Sequence, residues 1–249
     1  MCLSGHPVLA LPAGMLAAAA AGFVTAFLQT RLGVESIMAG IIVNTGLYTI
    51  NLAVMGFSST MSLVKTDTVF SLAKSALAFT GGWYKLVIAA AVIVLACAAM
   101  VGFLGTRLGL SIRATGDNAA MVRASSINPA FTITVGLCVS GALCALSGGL
   151  LAQFQGSSDI NMGRGAIVIG LAAVIGEVAF GKVFINFALK LLAVSIGAVI
   201  YYLVLQIVLQ LGLNTNDLKL VSALIVAVFL AIPYWKGHIH TKKGGSVHA

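Results

Sequence analysis

Long apolar runs alternate along this chain with short polar breaks. The apolar stretches cover residues 8–28, 37–57, 83–104, 130–153, 166–181, 183–211 and 220–234. Within each run the apolar positions are continuous rather than alternating, which predicts helices and not strands. A bilayer core of about 30 Å needs about 20 helical residues to cross it. In lipid, every backbone polar group must be paired within helices or a closed barrel. The pattern therefore predicts an all-α, polytopic transmembrane helical bundle with about seven membrane segments. The run 166–181 is short, is broken by Gly170 and Gly176, and carries Glu177 near its end. Such segments often form discontinuous helices that line a cavity.

The polar breaks add detail. Residues 58–82 turn polar, and Val69, Leu72, Ala73 and Ala76 have helical spacing. A short interfacial helix over 68–79 is expected there. Trp83, Tyr84 and Lys85 then look like a headgroup-level anchor opening the third span. In the fourth span two small-residue rows, Gly141-Ala145-Gly149 and Ser140-Cys144-Gly148, would let another helix approach closely. The longest charged break is 105–129, GTRLGLSIRATGDNAAMVRASSINP. Here Gly116 is expected to make a tight turn, with Asp117 or Asn118 capping a short helix over 119–125. That helix would lie on the membrane surface with Ala120, Met121 and Ala124 on one side, and Pro129 would start the next span. One transmembrane domain over 1–235 and a basic tail over 236–249 are expected.

Composition sharpens the class. The 249 residues are 60% hydrophobic and 8% charged, with mean hydropathy +1.08, whereas soluble domains carry about a quarter charged residues. The net charge of +8 is scattered between spans, so positive loops explain it better than nucleic acid does. Placing 105–129 in the cytoplasm puts Arg31, Arg107, Arg113, Arg123, Lys182, Lys236, Lys242 and Lys243 on that side. Lys65, Lys74, Lys85, Arg164 and Lys219 fall on the other. The bias favours that orientation. Cys97, Cys138 and Cys144 lie in apolar runs as small hydrophobes, and no His/Cys metal spacing, nucleophile elbow or phosphate-binding loop occurs. No catalytic residue, metal or cofactor is expected on this chain.

Candidate pathway residues are Asn44, Tyr48, Asn51, Gln153, Gln155, Asp159, Asn161 and Glu177, a polar and mostly neutral set that suits a small zwitterion such as an amino acid. Asn44, Tyr48 and Asn51 share one helical face. Two readings of that face stand side by side: interhelical hydrogen bonding and a pore-facing stripe. For Asp159 and Asn161 the favoured alternative is that they only cap or anchor the turn.

The segment SIRATGDNAAMVRASSINP resembles the cytoplasmic coupling loop of ABC-importer permeases of the branched-chain amino acid and ribose class, in the amino-acid-like branch. LLAQFQGSSDINMGRGAIVIGLAAVIGEVAFG and GIIVNTGLYTINLAVMG resemble further segments of that branch, and the likeness covers nearly the whole chain. The resemblance implies a permease that pairs with a second copy, with two ATPase subunits carrying ATP and Mg below it. An external binding (lipo)protein would deliver substrate above, at the plasma membrane of a prokaryote. It implies that Arg113, Thr115, Gly116, Asp117, Asn118, Met121 and Arg123 belong to the helix seated in the ATPase cleft. The family usually has a proline where Ala119 stands, a glycine near Ser126 and one more residue before Gly176. Its members also usually begin with membrane segments that this chain lacks before Val8. An ion-coupled secondary transporter, which needs intramembrane charges such as Glu177 or Lys190, and an inactive truncated subunit are the alternative readings.

Overall fold

The computed structural model describes residues 7–63, 68–71, 84–165, 170, 187–210, 220 and 227. It is mostly helical. Helix α1 spans Pro7–Arg31, α2 Ser36–Val54, α3 Tyr84–Leu104, α4 Arg107–Asp117, α5 Ala119–Ala124, α6 Pro129–Gln155 and α7 Phe187–Gln210. Among the described residues, α1, α2, α3, α6 and α7 are long and apolar enough to cross a membrane. They match five of the seven expected runs. The runs 166–181 and 220–234 lie essentially outside the described residues, as does most of the interfacial helix expected over 68–79. Large side chains such as Leu16 and Leu95 stand 74% and 70% exposed, an arrangement that lipid tolerates and water does not.

The chain divides into two compact units, Met1–Met162 and Gly163–Ala249. In the first, α1 runs antiparallel to α6. A Cβ at Gly22 would lie 2.5 Å from the carbonyl oxygen of Leu137, and one at Gly141 would lie 2.6 Å from that of Ala18. Further along, Gly149 faces the side chain of Leu11. The small-residue face expected on the fourth span thus has α1 as its partner, and the two backbones nearly touch. In the second unit, α7 carries Lys190 near its start and packs the rings of Tyr201 and Tyr202 edge to face, with centroids 5.8 Å apart.

A feature absent from the sequence expectation joins the far ends of α2 and α6. Strand β1 (Thr60–Ser62) pairs antiparallel with β2 (Ser157–Asp159), Met61 opposite Ser158. The break after α6, expected as a plain turn, is therefore a strand followed by a 3₁₀ turn over Met162–Gly165. Helix α2 stops at Val54, three residues short of the expected 57, because it closes in a Schellman motif. The Phe57 amide donates to the Leu52 carbonyl and that of Gly56 to Ala53, with Gly56 and Phe57 both at positive φ. Lys85, at the start of α3, sits 5.0 Å from the centre of the Phe154 ring. The ends of α2 and α6 and the start of α3 thus gather at one end of the unit, and the segment 105–129 lies at the other.

Candidate functional site

The segment 105–129 folds as an elbow of two helices. Thr106 caps α4, its hydroxyl accepting from the Gly109 amide at 3.3 Å. Gly109 presses directly on the preceding turn: a Cβ there would come within 2.3 Å of the Leu104 Cα and 2.5 Å of the Phe103 oxygen. Only a hydrogen fits, so the corner between α3 and α4 is as tight as backbone allows. The expected turn at Gly116 is not made there. Gly116 lies in the last turn of α4, and the chain bends at Asn118, where φ is −156° and ψ is 96°. An extended residue between two helices suffices for the bend, so no left-handed glycine is required.

Asn118 then caps α5, its side-chain oxygen accepting from the amides of Ala120 and Met121 at 3.0 and 3.1 Å. Helix α5 turns Val122 inward, where it is 2% exposed, and presents Met121 outward at 60%. Ala120, Ala124, Asp117, Arg113 and Arg123 are also exposed. The helix ends in a second Schellman motif: the Ile127 amide donates to Val122 and that of Ser126 to Arg123. Ser126 takes the left-handed position, with φ 62°. This is where the resemblance anticipates a nearby glycine, and the geometry supplies the reason for one. A side chain in this conformation costs roughly 1–2 kcal/mol. Ser126→Gly is therefore expected to stabilise the fold by up to about 1 kcal/mol, after allowing for the extra entropy of unfolded glycine. Thermal melting of the detergent-solubilised protein should rise by about 2–4 °C.

The elbow is tied to the membrane helix. Thr115, 8% exposed in the last turn of α4, and Thr132, 2% exposed in the first turn of α6, bring their hydroxyl oxygens to 2.8 Å. Asn128 caps α6 by accepting from the Ala130 amide, with Pro129 opening the first turn. Thr132 was not singled out from the sequence. Its partner is 17 residues away, and no periodic signal links the two.

The structure does not bring the candidate pathway residues together. Asn44 lines an open cleft of about 320 Å³ between α1, α2 and α6, together with Thr25, Ser140 and Cys144 among small apolar residues. Gly40, Val43 and Leu47 are the other α2 residues on that wall. Tyr48 and Asn51 lie further along α2, exposed and outside the cleft. Gln153, Gln155, Asp159 and Asn161 collect instead at the far end of α6. Gln153 is 5% exposed and its amide oxygen accepts from the Val69 backbone at 2.9 Å. Asp159 accepts from the Asn161 amide at 2.6 Å. Phe70 meets Phe154 edge to face, centroids 5.7 Å apart. These contacts hold the segment near 68–71 against the end of α6. Glu177 lies outside the described residues.

Comparison with known proteins places these features in a lineage. Residues 1–233 match the family model described as branched-chain amino acid transport system / permease component. A tyrosine transport system permease protein of Clostridioides difficile (strain R20291) is 35% identical over 90% of this chain and 72% of its own length. An uncharacterized protein of Rickettsia prowazekii (strain Madrid E) is 31% identical over 84% of this chain and 73% of its own. No solved structure matches.

Proposed function

The chain belongs to the branched-chain amino acid transport system permease family, and from that premise we propose that it is the membrane subunit of an ATP-driven importer for amino acids or closely related zwitterions. It is a multi-pass transport subunit rather than an enzyme. On this reading ATP and Mg are held by separate ATPase subunits at the cytoplasmic face. A second permease copy completes the pathway, and an extracytoplasmic binding lipoprotein delivers the solute. The membrane is the plasma membrane of a prokaryote. The amino-acid class rests on the Clostridioides relative's name and on the neutral polar character of Asn44 and its neighbours in the cleft.

The observation that carries the coupling is the elbow itself. A helix presenting Met121 between Asp117 and Arg123, anchored by a buried contact to α6, is a seat for a protein surface and not a loose connector. Charge supports its placement in the cytoplasm. The elbow end of the first unit carries Arg31, Arg107, Arg113 and Arg123, against Lys85 at the opposite end and Arg164 in the turn that follows β2, among the described residues. Closure of the ATPases on nucleotide would push the elbow and tilt the bundle between outward- and inward-facing states.

The test is isolation of the tagged permease in mild detergent from cells expressing its ATPase. A nucleotide-binding protein should co-purify with the wild type, and Arg123→Glu should reduce it at least tenfold while leaving the permease in the membrane. Uptake that persists without any ATPase and collapses with the proton gradient would overturn this reading in favour of a secondary transporter.

A further inference from the structure

The contact between Thr115 and Thr132 joins the last turn of α4 to the first turn of α6, and each hydroxyl also meets its own helix. Thr115 lies 2.7 Å from the Ser111 carbonyl oxygen and Thr132 lies 2.9 Å from that of Pro129. Two hydroxyl protons thus face three acceptor directions. Whichever threonine donates across the gap, the other donates to its own backbone, and both oxygens remain satisfied. The link is consequently made in either proton arrangement, with Thr115 and Thr132 only 8% and 2% exposed.

We propose that this hydroxyl pair is the positioning contact that sets the angle of the elbow on α6, so that movement of α5 is passed to the membrane helix rather than lost in bending. The proposal rests on the reading of the elbow as an ATPase seat. Around the pair the two helices are not tightly packed. A cavity of about 370 Å³ lies between them, lined by Ile112, Gly116, Ala119, Ile133, Gly136 and the two threonines. Loose apolar walls can slide, because dispersion contacts have little directionality. A buried hydrogen bond resists sliding because its energy falls steeply with distance and angle. The pair is also well placed to act as a pivot. Thr115 is three residues before the bend at Asn118, and Thr132 is in a turn already held by Pro129 and the Asn128 cap.

The same chemistry makes the proposal testable without unfolding the protein. In Thr132→Val the shape of the side chain is kept, and Thr115 falls back on the Ser111 carbonyl, so no buried polar atom is orphaned. Thr132→Ser restores the hydroxyl. The permease is reconstituted in proteoliposomes with its ATPase and binding protein, and solute moved per ATP hydrolysed is measured. The expected result is a fall of at least fivefold for the valine variant, with the serine variant within twofold of wild type. A residue that merely stabilised the fold would change the yield of complex and leave that ratio intact. A valine variant with the wild-type ratio, or a serine variant as poor as valine, overturns the proposal.

A second readout needs no ATPase. Amide hydrogen exchange over 111–118 in the permease alone should speed at least tenfold in Thr132→Val and stay near wild type in Thr132→Ser. Unchanged exchange in the valine variant overturns the proposal as well. A wild-type permease that binds no ATPase, while showing this exchange pattern, would instead overturn the parent reading, leaving the contact as a fixed joint with nothing to transmit.

Discussion

Gly109→Ala is expected to destroy the elbow. The added methyl would lie 2.3 Å from the Leu104 Cα and 2.5 Å from the Phe103 oxygen. Both obstacles are backbone, so no side chain can swing aside. Relief requires opening the corner between α3 and α4, which moves α5 away from α6 and separates Thr115 from Thr132. Overpacking of this kind costs about 3 kcal/mol where, as here, only backbone can yield, a large share of the 5–15 kcal/mol that holds a typical domain together. Size-exclusion chromatography should show loss of monodisperse protein. Gly116→Ala is the contrast: a Cβ there has nothing within 4 Å and should gain roughly 0.5–1 kcal/mol in helix propensity. Equal tolerance of the two substitutions would mean that the α3–α4 corner is not built as described.

The second large effect lies at the α1–α6 seam. Gly22→Ala and Gly141→Ala each place a methyl about 2.5 Å from a carbonyl oxygen of the facing helix, 2.5 Å at Leu137 and 2.6 Å at Ala18. The helices must move apart along their whole contact. Each change is expected to cost about 2 kcal/mol. The double variant should fall short of the sum, because one separation relieves both clashes. Gly14→Ala, on the helix of Gly22 with nothing within 4 Å, should instead raise the melting temperature by about 1–4 °C through helix propensity. Melting curves of the four proteins in one detergent decide the matter. A seam variant as stable as Gly14→Ala would show that α1 and α6 do not meet at these residues.

How far the chain could be read before its structure depended on the range of the interaction. The long helices were legible because lipid imposes length and uniform apolarity on each one independently. The cap at Asn118 and the outward face of α5 were legible too, being local chemistry within one turn. Helix α4 was not among the expected elements. Gly116 reads as a breaker, and the apolar positions Leu108, Leu110 and Ile112 alternate in the manner of a strand, so only Thr106 as a cap spoke for a helix before it. The ribbon was invisible: apart from Thr60, TMS and SSD hold no strand-favouring residue, and they pair because two helix ends deliver them side by side. Thr132 was passed over for the same reason. A threonine near a helix start is commonplace until a second hydroxyl is known to lie against it. The polar residues expected along a pathway share only composition, and the fold separates Asn44 in its cleft from Tyr48 and Asn51 further along α2 and from a cluster at the end of α6, where Gln153 and Asp159 are engaged with backbone amides.

The ribbon also dictates an order of events during biosynthesis. Strand β1 emerges early, but its partner follows only after roughly 95 further residues, which at translation rates of about 5–20 residues per second takes about 5–20 s. In that interval α3 must enter the bilayer, the elbow must be left on the opposite face, and α6 must return. A three-residue strand is too short to hold a partner by itself. Pairing of Met61 with Ser158 therefore acts as a closing check on insertion, since it can form only if an even number of crossings separates the two strands. A nascent chain that skipped one crossing would leave β1 and β2 on opposite sides of the membrane.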